Sequence, residues 1–122
     1  MPMAIRVLLR VVSLPATGGN VVYKEESNYS YIEVLAQEAS PNVRRMMLDK
    51  LVHSFVNIND PLAVTYPYEW VYEGVLNHVS PGAQPIRGFV LGGGGFTFPH
   101  YLEVARPGSY VEVAEIDPAV TE

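Results

Sequence analysis

The sequence predicts a mixed fold, α+β then α/β: an antiparallel β-hairpin unit followed by the opening βαβ of a doubly wound domain. Three observations carry this. Short runs of alternating apolar and polar residues fill the first half. A segment with aromatic and aliphatic residues at helical spacing follows Asp60-Pro61. Then strand, four consecutive glycines, helix and strand are packed into about thirty residues, the pattern of a βαβ unit.

The elements are justified in order. Residues 4–12 alternate Ile5, Val7, Leu9 and Val11 against Arg6, Leu8 and Arg10. Arg10 interrupts the apolar stretch that a signal peptide needs, so a strand is expected. Residues 20–25 form a short strand after the turn Thr17-Gly18-Gly19. Residues 29–37 form a second, with Tyr31, Glu33 and Leu35 on one face and Ile32, Val34 and Ala36 on the other. Pro41 within residues 39–42 is expected to break the chain there. Residues 43–48 and 51–58 are two further β runs joined at Asp49-Lys50, which suggests a tight hairpin.

Asp60 reads as an N-cap for the segment that follows. Tyr68, Val71, Tyr72, Val75 and Val79 lie at helical spacing, and Pro67 suits a first helical turn. Ser80-Pro81-Gly82 through Pro85 is a linker. Residues 86–91 are a short apolar strand, residues 96–104 a helix stopped by Pro107-Gly108, and residues 110–116 a second strand. Asp117-Pro118 is expected to cap the next helical turn. The resulting division is residues 1–59 as an antiparallel β domain, 60–85 as helix and linker, and 86–122 as the start of a nucleotide-type domain.

Composition excludes several chemistries. The chain has 122 residues, of which 48% are hydrophobic and 17% charged, enough apolar material for a small core. Net charge is −5. A phosphate-backbone binder carries a basic excess, so nucleic acid is not an expected partner. Cysteine is absent, which removes disulfides, thiolate catalysis and zinc–thiolate sites. His53, His78 and His100 share no metal-ligand spacing, and no metal is expected. The longest apolar run falls short of the ~18–20 residues of a membrane span, and no membrane partner is expected in this segment. The cytoplasm is the default location.

The glycines Gly92, Gly93, Gly94 and Gly95 carry the strongest signal. A strand that ends in glycines and opens a helix lets backbone N–H groups approach a ligand, because no Cβ intrudes. Glu115 ends the next strand, where an acid can accept hydrogen bonds from ribose hydroxyls. The pairing fits a nucleoside. The dinucleotide pattern G-x-G-x-x-G/A is incomplete, since Thr97 or Phe98 falls at its last position. Tyr66, Tyr68, Trp70 and Tyr72 form an aromatic cluster suited to a cationic amine, though alternate members must face apart.

The run Gly92-Gly-Gly-Gly-Phe-Thr-Phe-Pro-His-Tyr-Leu102, followed by Val111-Glu-Val-Ala-Glu-Ile-Asp-Pro-Ala-Val120, resembles the nucleoside-binding segment of the spermidine/spermine synthase (polyamine aminopropyltransferase) family. It is most similar to a divergent bacterial branch with a GGGxYTFP loop, some members of which are fused to membrane domains. Glu26-Ser-Asn-Tyr-Ser-Tyr-Ile-Glu-Val34 resembles the family's ESxYxxIxV strand. Met47-Leu-Asp-Lys-Leu-Val-His-Ser54 resembles its LxLDGxxQ hairpin, and residues 60–76 resemble its DExxYhExL segment. The resemblance covers residues 20–122.

It implies a Rossmann-like fold of the S-adenosylmethionine methyltransferase type, incomplete here, behind the β domain. It implies decarboxylated S-adenosylmethionine as co-substrate (or S-adenosylmethionine), a polyamine as acceptor, and a homo-oligomer. Gly92, Gly93 and Gly94 match the loop glycines and Glu115 the ribose-binding acid. His53 stands where the family has a glutamine lining the nucleoside and amine pocket, and Tyr72 matches a tyrosine near the amine. Gly95 stands where better-known synthases carry an aspartate, which removes one negative charge. Ser30, Gly74 and His100 also depart, standing where glutamine, glutamate and arginine are usual. The family's catalytic aspartate is expected beyond Glu122, so the chain reads as the N-terminal portion of such an enzyme, unable to turn over alone. Two other readings stand beside it: a methyltransferase on the same fold, and a non-catalytic β oligomerisation module.

Overall fold

The protein is described here by a computed structural model, which defines residues 19–122. The strand expected at residues 4–12 lies outside these. Among the described residues four antiparallel strands come first: β1 (Gly19–Glu26), β2 (Tyr31–Gln37), β3 (Ser40–Leu48) and β4 (Leu51–Asn57), hydrogen-bonded in that order. Helix α1 (Pro67–Val79) follows. Then β5 (Arg87–Leu91), α2 (Thr97–Ala105) and β6 (Tyr110–Ala114) make a unit in which β5 and β6 pair in parallel. A single 3-10 turn, Pro118–Val120, ends the chain.

The β3–β4 hairpin turns on Asp49-Lys50, with Asp49 at φ +55°. Aspartate tolerates this left-handed geometry better than most residues. Its carboxylate also accepts the Tyr31 N–H at 2.9 Å, which pins the turn to the start of β2.

Two expectations are corrected. The break placed at residues 39–42 is a turn at Glu38-Ala39, and β3 already begins at Ser40. Pro41 is carried in an irregularity, where the register passes from Gln37↔Ser40 to Ala36↔Arg44. A bulge is where a strand tolerates a residue without a donor. Asp60 does not cap α1. Its carboxylate accepts the Leu62 N–H at 3.0 Å in a local turn, and the helix opens at Pro67 behind an extended Tyr66. Proline holds the preceding residue extended, so the helix cannot begin earlier. Asp117 does cap the 3-10 turn, accepting the Ala119 N–H at 3.1 Å.

Ile32, Met46 and Ser54 are buried on one face of the antiparallel sheet, opposite the glycine loop that follows β5. Tyr101 and Leu102 of α2 are buried beside them. The buried Arg106 ties the C-terminal ends of the two helices together. Its guanidinium donates to the Ser80 carbonyl at 2.6 Å, the Asn77 side chain at 3.2 Å and the Gln84 carbonyl at 3.4 Å. Ser27, between β1 and β2, donates to Asp117 after β6. The β sheet and the βαβ unit are joined through Ser27 and Asp117, and they meet again where Gly95 stands against Ser54 and Val56. Among the described residues no helix is long and apolar enough to cross a membrane.

Candidate functional site

The glycine loop is built by its backbone angles. Gly92 and Gly94 take φ +87° and +51°, and Phe96 takes +55° to open α2. A bulky residue adopts that region at a cost, which the surroundings must meet. Part of the return is visible: the Phe96 ring lies over Gly93, where a Cβ would stand 2.5 Å from Cε2. Gly92 N–H donates to the Ala114 carbonyl at 2.8 Å, which holds the loop against the end of β6.

Glu115 follows β6 directly. One carboxylate oxygen accepts the Gly93 N–H at 2.6 Å and the other the Asp117 N–H at 3.0 Å. Burial would raise its pKa, but the N–H groups of Asp117, Gly93, Ile116 and Gly94 together hold the carboxyl below the usual value of 4.5.

On the other side of the loop lies a cleft of about 410 Å³. Gly92 to Gly95 form one wall with Thr97 and Phe98. Val52 and His53 of β4 form another, and Tyr66, Tyr68, Glu69 and Tyr72 at the start of α1 form the third. The structure therefore brings His53, Tyr72 and all four glycines to one cleft. Glu115 stands outside it, behind the loop. Trp70 faces away and donates its indole N–H to the Val64 carbonyl at 2.8 Å. His100 lines a separate surface groove beside Phe96.

The aromatic rings form a continuous chain. Phe55, Tyr66, Tyr68, Tyr72, Phe98 and Tyr101 follow one another at centroid distances of 5.4, 5.0, 5.3, 5.4 and 5.5 Å. Most of these contacts are edge-on, the favoured arrangement of ring quadrupoles. Burial and the neighbouring Glu69 charge push the Tyr68 hydroxyl up to about 12. Tyr101 donates to Glu73 at 2.8 Å, which fixes the far end of the chain against α1.

Glu69 and Phe98 also line the cleft, and sequence pattern alone did not single them out. Glu69 is 1% exposed, and its Oε2 is buried without a hydrogen-bond partner. Burial raises its pKa, opposed by the nearby Tyr66 N–H and the Tyr68 and Thr97 hydroxyls, none of which reaches hydrogen-bond geometry with Oε2. A signal was present: an acid in the first helical turn, one residue after Tyr68 and three before Tyr72, lies on the aromatic side of α1. Gly95 has no room for a side chain. A Cβ there would stand 2.6 Å from Val56 Cγ2 and closer still to Ser54 Oγ.

Among the described residues no group of three or more histidines, aspartates or glutamates is placed to hold a metal ion. No protein-family model and no curated protein matches this sequence. The chain is similar in structure to a probable spermidine synthase from Corynebacterium glutamicum ATCC 13032, with a TM-score of 0.73 and 24% identity. The match covers 84% of this chain and 38% of that one, so the chain spans well under half the length of its solved neighbour. Among the described residues the fold is accordingly that of part of this neighbour, a four-stranded antiparallel sheet followed by a parallel βαβ unit.

Proposed function

We propose that this chain forms the donor-nucleoside and amine-facing part of an aminopropyltransferase-like enzyme, one that moves an aminopropyl group from decarboxylated S-adenosylmethionine to a polyamine. One observation carries the reading. The glycine loop stands between an acid of the ribose-binding type, Glu115, and a cleft walled by tyrosines and a buried carboxylate. The structural likeness to a probable spermidine synthase supports it.

The charges favour this donor over a dinucleotide. A pyrophosphate would have to displace Glu115 from the Gly93 N–H while lying between two carboxylates, at a Coulomb cost. A sulfonium nucleoside and a protonated amine are both cations, and the same carboxylates attract them. Glu115 keeps lone pairs for ribose hydroxyls, because each carboxylate oxygen accepts more than one hydrogen bond. In the proposed reaction the amine lone pair attacks the carbon bound to the sulfonium. The C–S bond breaks, sulfur keeps the electron pair, methylthioadenosine leaves, and the new ammonium gives up a proton. The cleft would hold the amine in line with that bond, which is where proximity lowers the barrier. Tyr72 and its neighbours would face the cation, and His53 would flank the nucleoside.

A methyltransferase-like reading is favoured by one observation, the absence of room for an acid at Gly95. The donor separates the two. Calorimetric titration of the chain with methylthioadenosine, S-adenosylmethionine and NAD tests the proposal. Methylthioadenosine binding that is lost in Glu115→Ala, with no NAD binding, is expected. Binding of NAD alone, or of no nucleoside to the folded chain, overturns it.

A further inference from the structure

We infer that Glu69 holds the ammonium end of a primary alkylamine in the cleft beside the glycine loop, and so supplies the negative charge that Gly95 cannot carry. This rests on the reading of the cleft given above and assigns the residue that selects its second substrate.

A side chain at Gly95 would overlap Ser54 and Val56 of β4, so no acid can project from the end of the loop. The other nearby carboxylates do not line the cleft, and each already has a donor. Glu115 accepts the Gly93 and Asp117 N–H groups, Glu73 accepts the Tyr101 hydroxyl, and Asp117 accepts from Ser27 and Ala119. Among the described residues that line the cleft, Glu69 is the one acid. It is 1% exposed, and Oε2 has no donor.

A buried carboxylate oxygen without a partner is costly, and native structures keep such groups where a function requires them. The missing partner is a donor that the cleft can admit. An ammonium brings three donors and a full positive charge, the strongest complement to a carboxylate in a low-dielectric site. Tyr68 and Tyr72 stand beside Glu69 in the same cleft, and their ring faces add attraction for a cation. The loop glycines form the opposite wall, so an amine on Glu69 would face the position proposed for the donor.

The test titrates putrescine into the full chain and into Glu69→Gln, each with and without saturating methylthioadenosine, with circular dichroism to check folding. Putrescine affinity is expected to fall by about tenfold or more in Glu69→Gln, while methylthioadenosine affinity stays within about twofold. Unchanged putrescine affinity in the folded variant overturns the inference, and so does failure of putrescine to bind the unaltered chain. The unaltered chain is also titrated with 1,4-butanediol, the neutral analogue of putrescine. Equal affinity for the two overturns the inference without any variant. Failure of methylthioadenosine to bind counts against the functional reading alone, because the putrescine arm is run without nucleoside as well.

Discussion

Glu115 accepts the backbone N–H of Gly93 at 2.6 Å, so the acid after β6 and the loop after β5 form one unit before any ligand arrives. The carboxylate also takes the Asp117 N–H, and it thereby sets the entry to the last turn of the chain. Pre-organisation of this kind lowers the ordering cost of binding.

The unit makes Glu115 a stability residue, beside the ligand-binding role proposed for it. Its folded pKa is depressed, so its contribution is present above the ordinary value of 4.5 and is lost as pH falls through the folded value. Glu115→Gln is expected to destabilise the chain at pH 7 by about 1 kcal/mol, less than a fully buried charged hydrogen bond would cost because the group is partly solvated. Urea unfolding across pH 3–7 (a range of roughly four units) checks this. A deficit that persists unchanged in acid would show that the charge is not the cause.

Gly95→Ala should destabilise the fold by about 1–3 kcal/mol, because the added methyl overlaps Ser54 and Val56. Combining it with Ser54→Gly or Val56→Ala should show positive coupling, since each removes part of the overlap. A double-mutant cycle by urea denaturation reads this directly. Additive effects would mean that the strand and the loop are not in contact at this point.

Glu69 should behave in the opposite sense to Glu115. Its folded pKa is raised by burial, so the folded state holds its proton more tightly, and stability falls as pH rises from the ordinary value of 4.5 through the folded one. Glu69→Gln is therefore expected to melt higher than the unaltered chain at pH 7, with the advantage fading below pH 4.5. A lower melting temperature at pH 7 would mean that the helix N-terminus and the nearby hydroxyls outweigh burial.

Much of this fold could be read from local pattern. The β3–β4 hairpin, the α1 helix and the βαβ unit follow from alternation, helical spacing and glycine placement, which act over a few residues. Asp60 was misread because proline controls where α1 opens, and a plausible cap residue does not outrank it. Pro41 was misread because a bulge absorbs it, and bulges depend on the partner strand. The glycine loop and Tyr72, picked out from the sequence, come together as walls of one cleft. Glu69 was not picked out, because its burial depends on groups such as Thr97 that meet it only after folding. The lack of space at Gly95 was equally hidden, since Ser54 and Val56 meet it only after folding.

Arg106 provides a last test of how α1 is held against the cleft. It is 2% exposed and spreads its donors over the Ser80 carbonyl, Asn77 and the Gln84 carbonyl. They cap the Ser80 carbonyl at the end of α1 and tie down the helix whose first two turns carry Tyr68, Glu69 and Tyr72. Arg106→Met should cost about 2–3 kcal/mol, because it strips the Ser80 carbonyl of a charged donor in a buried position. Arg106→Lys should recover little, since a single ammonium cannot span acceptors that a planar guanidinium reaches together. The informative readout is the urea midpoint alongside Trp70 fluorescence, because Trp70 sits on α1 and reports its displacement. If Arg106→Lys matched the unaltered chain in both, the forked geometry would not be what anchors α1. If stability fell with no change in Trp70, Arg106 would brace α2 alone, and the cleft wall would be set by the aromatic chain from Tyr66 to Tyr101.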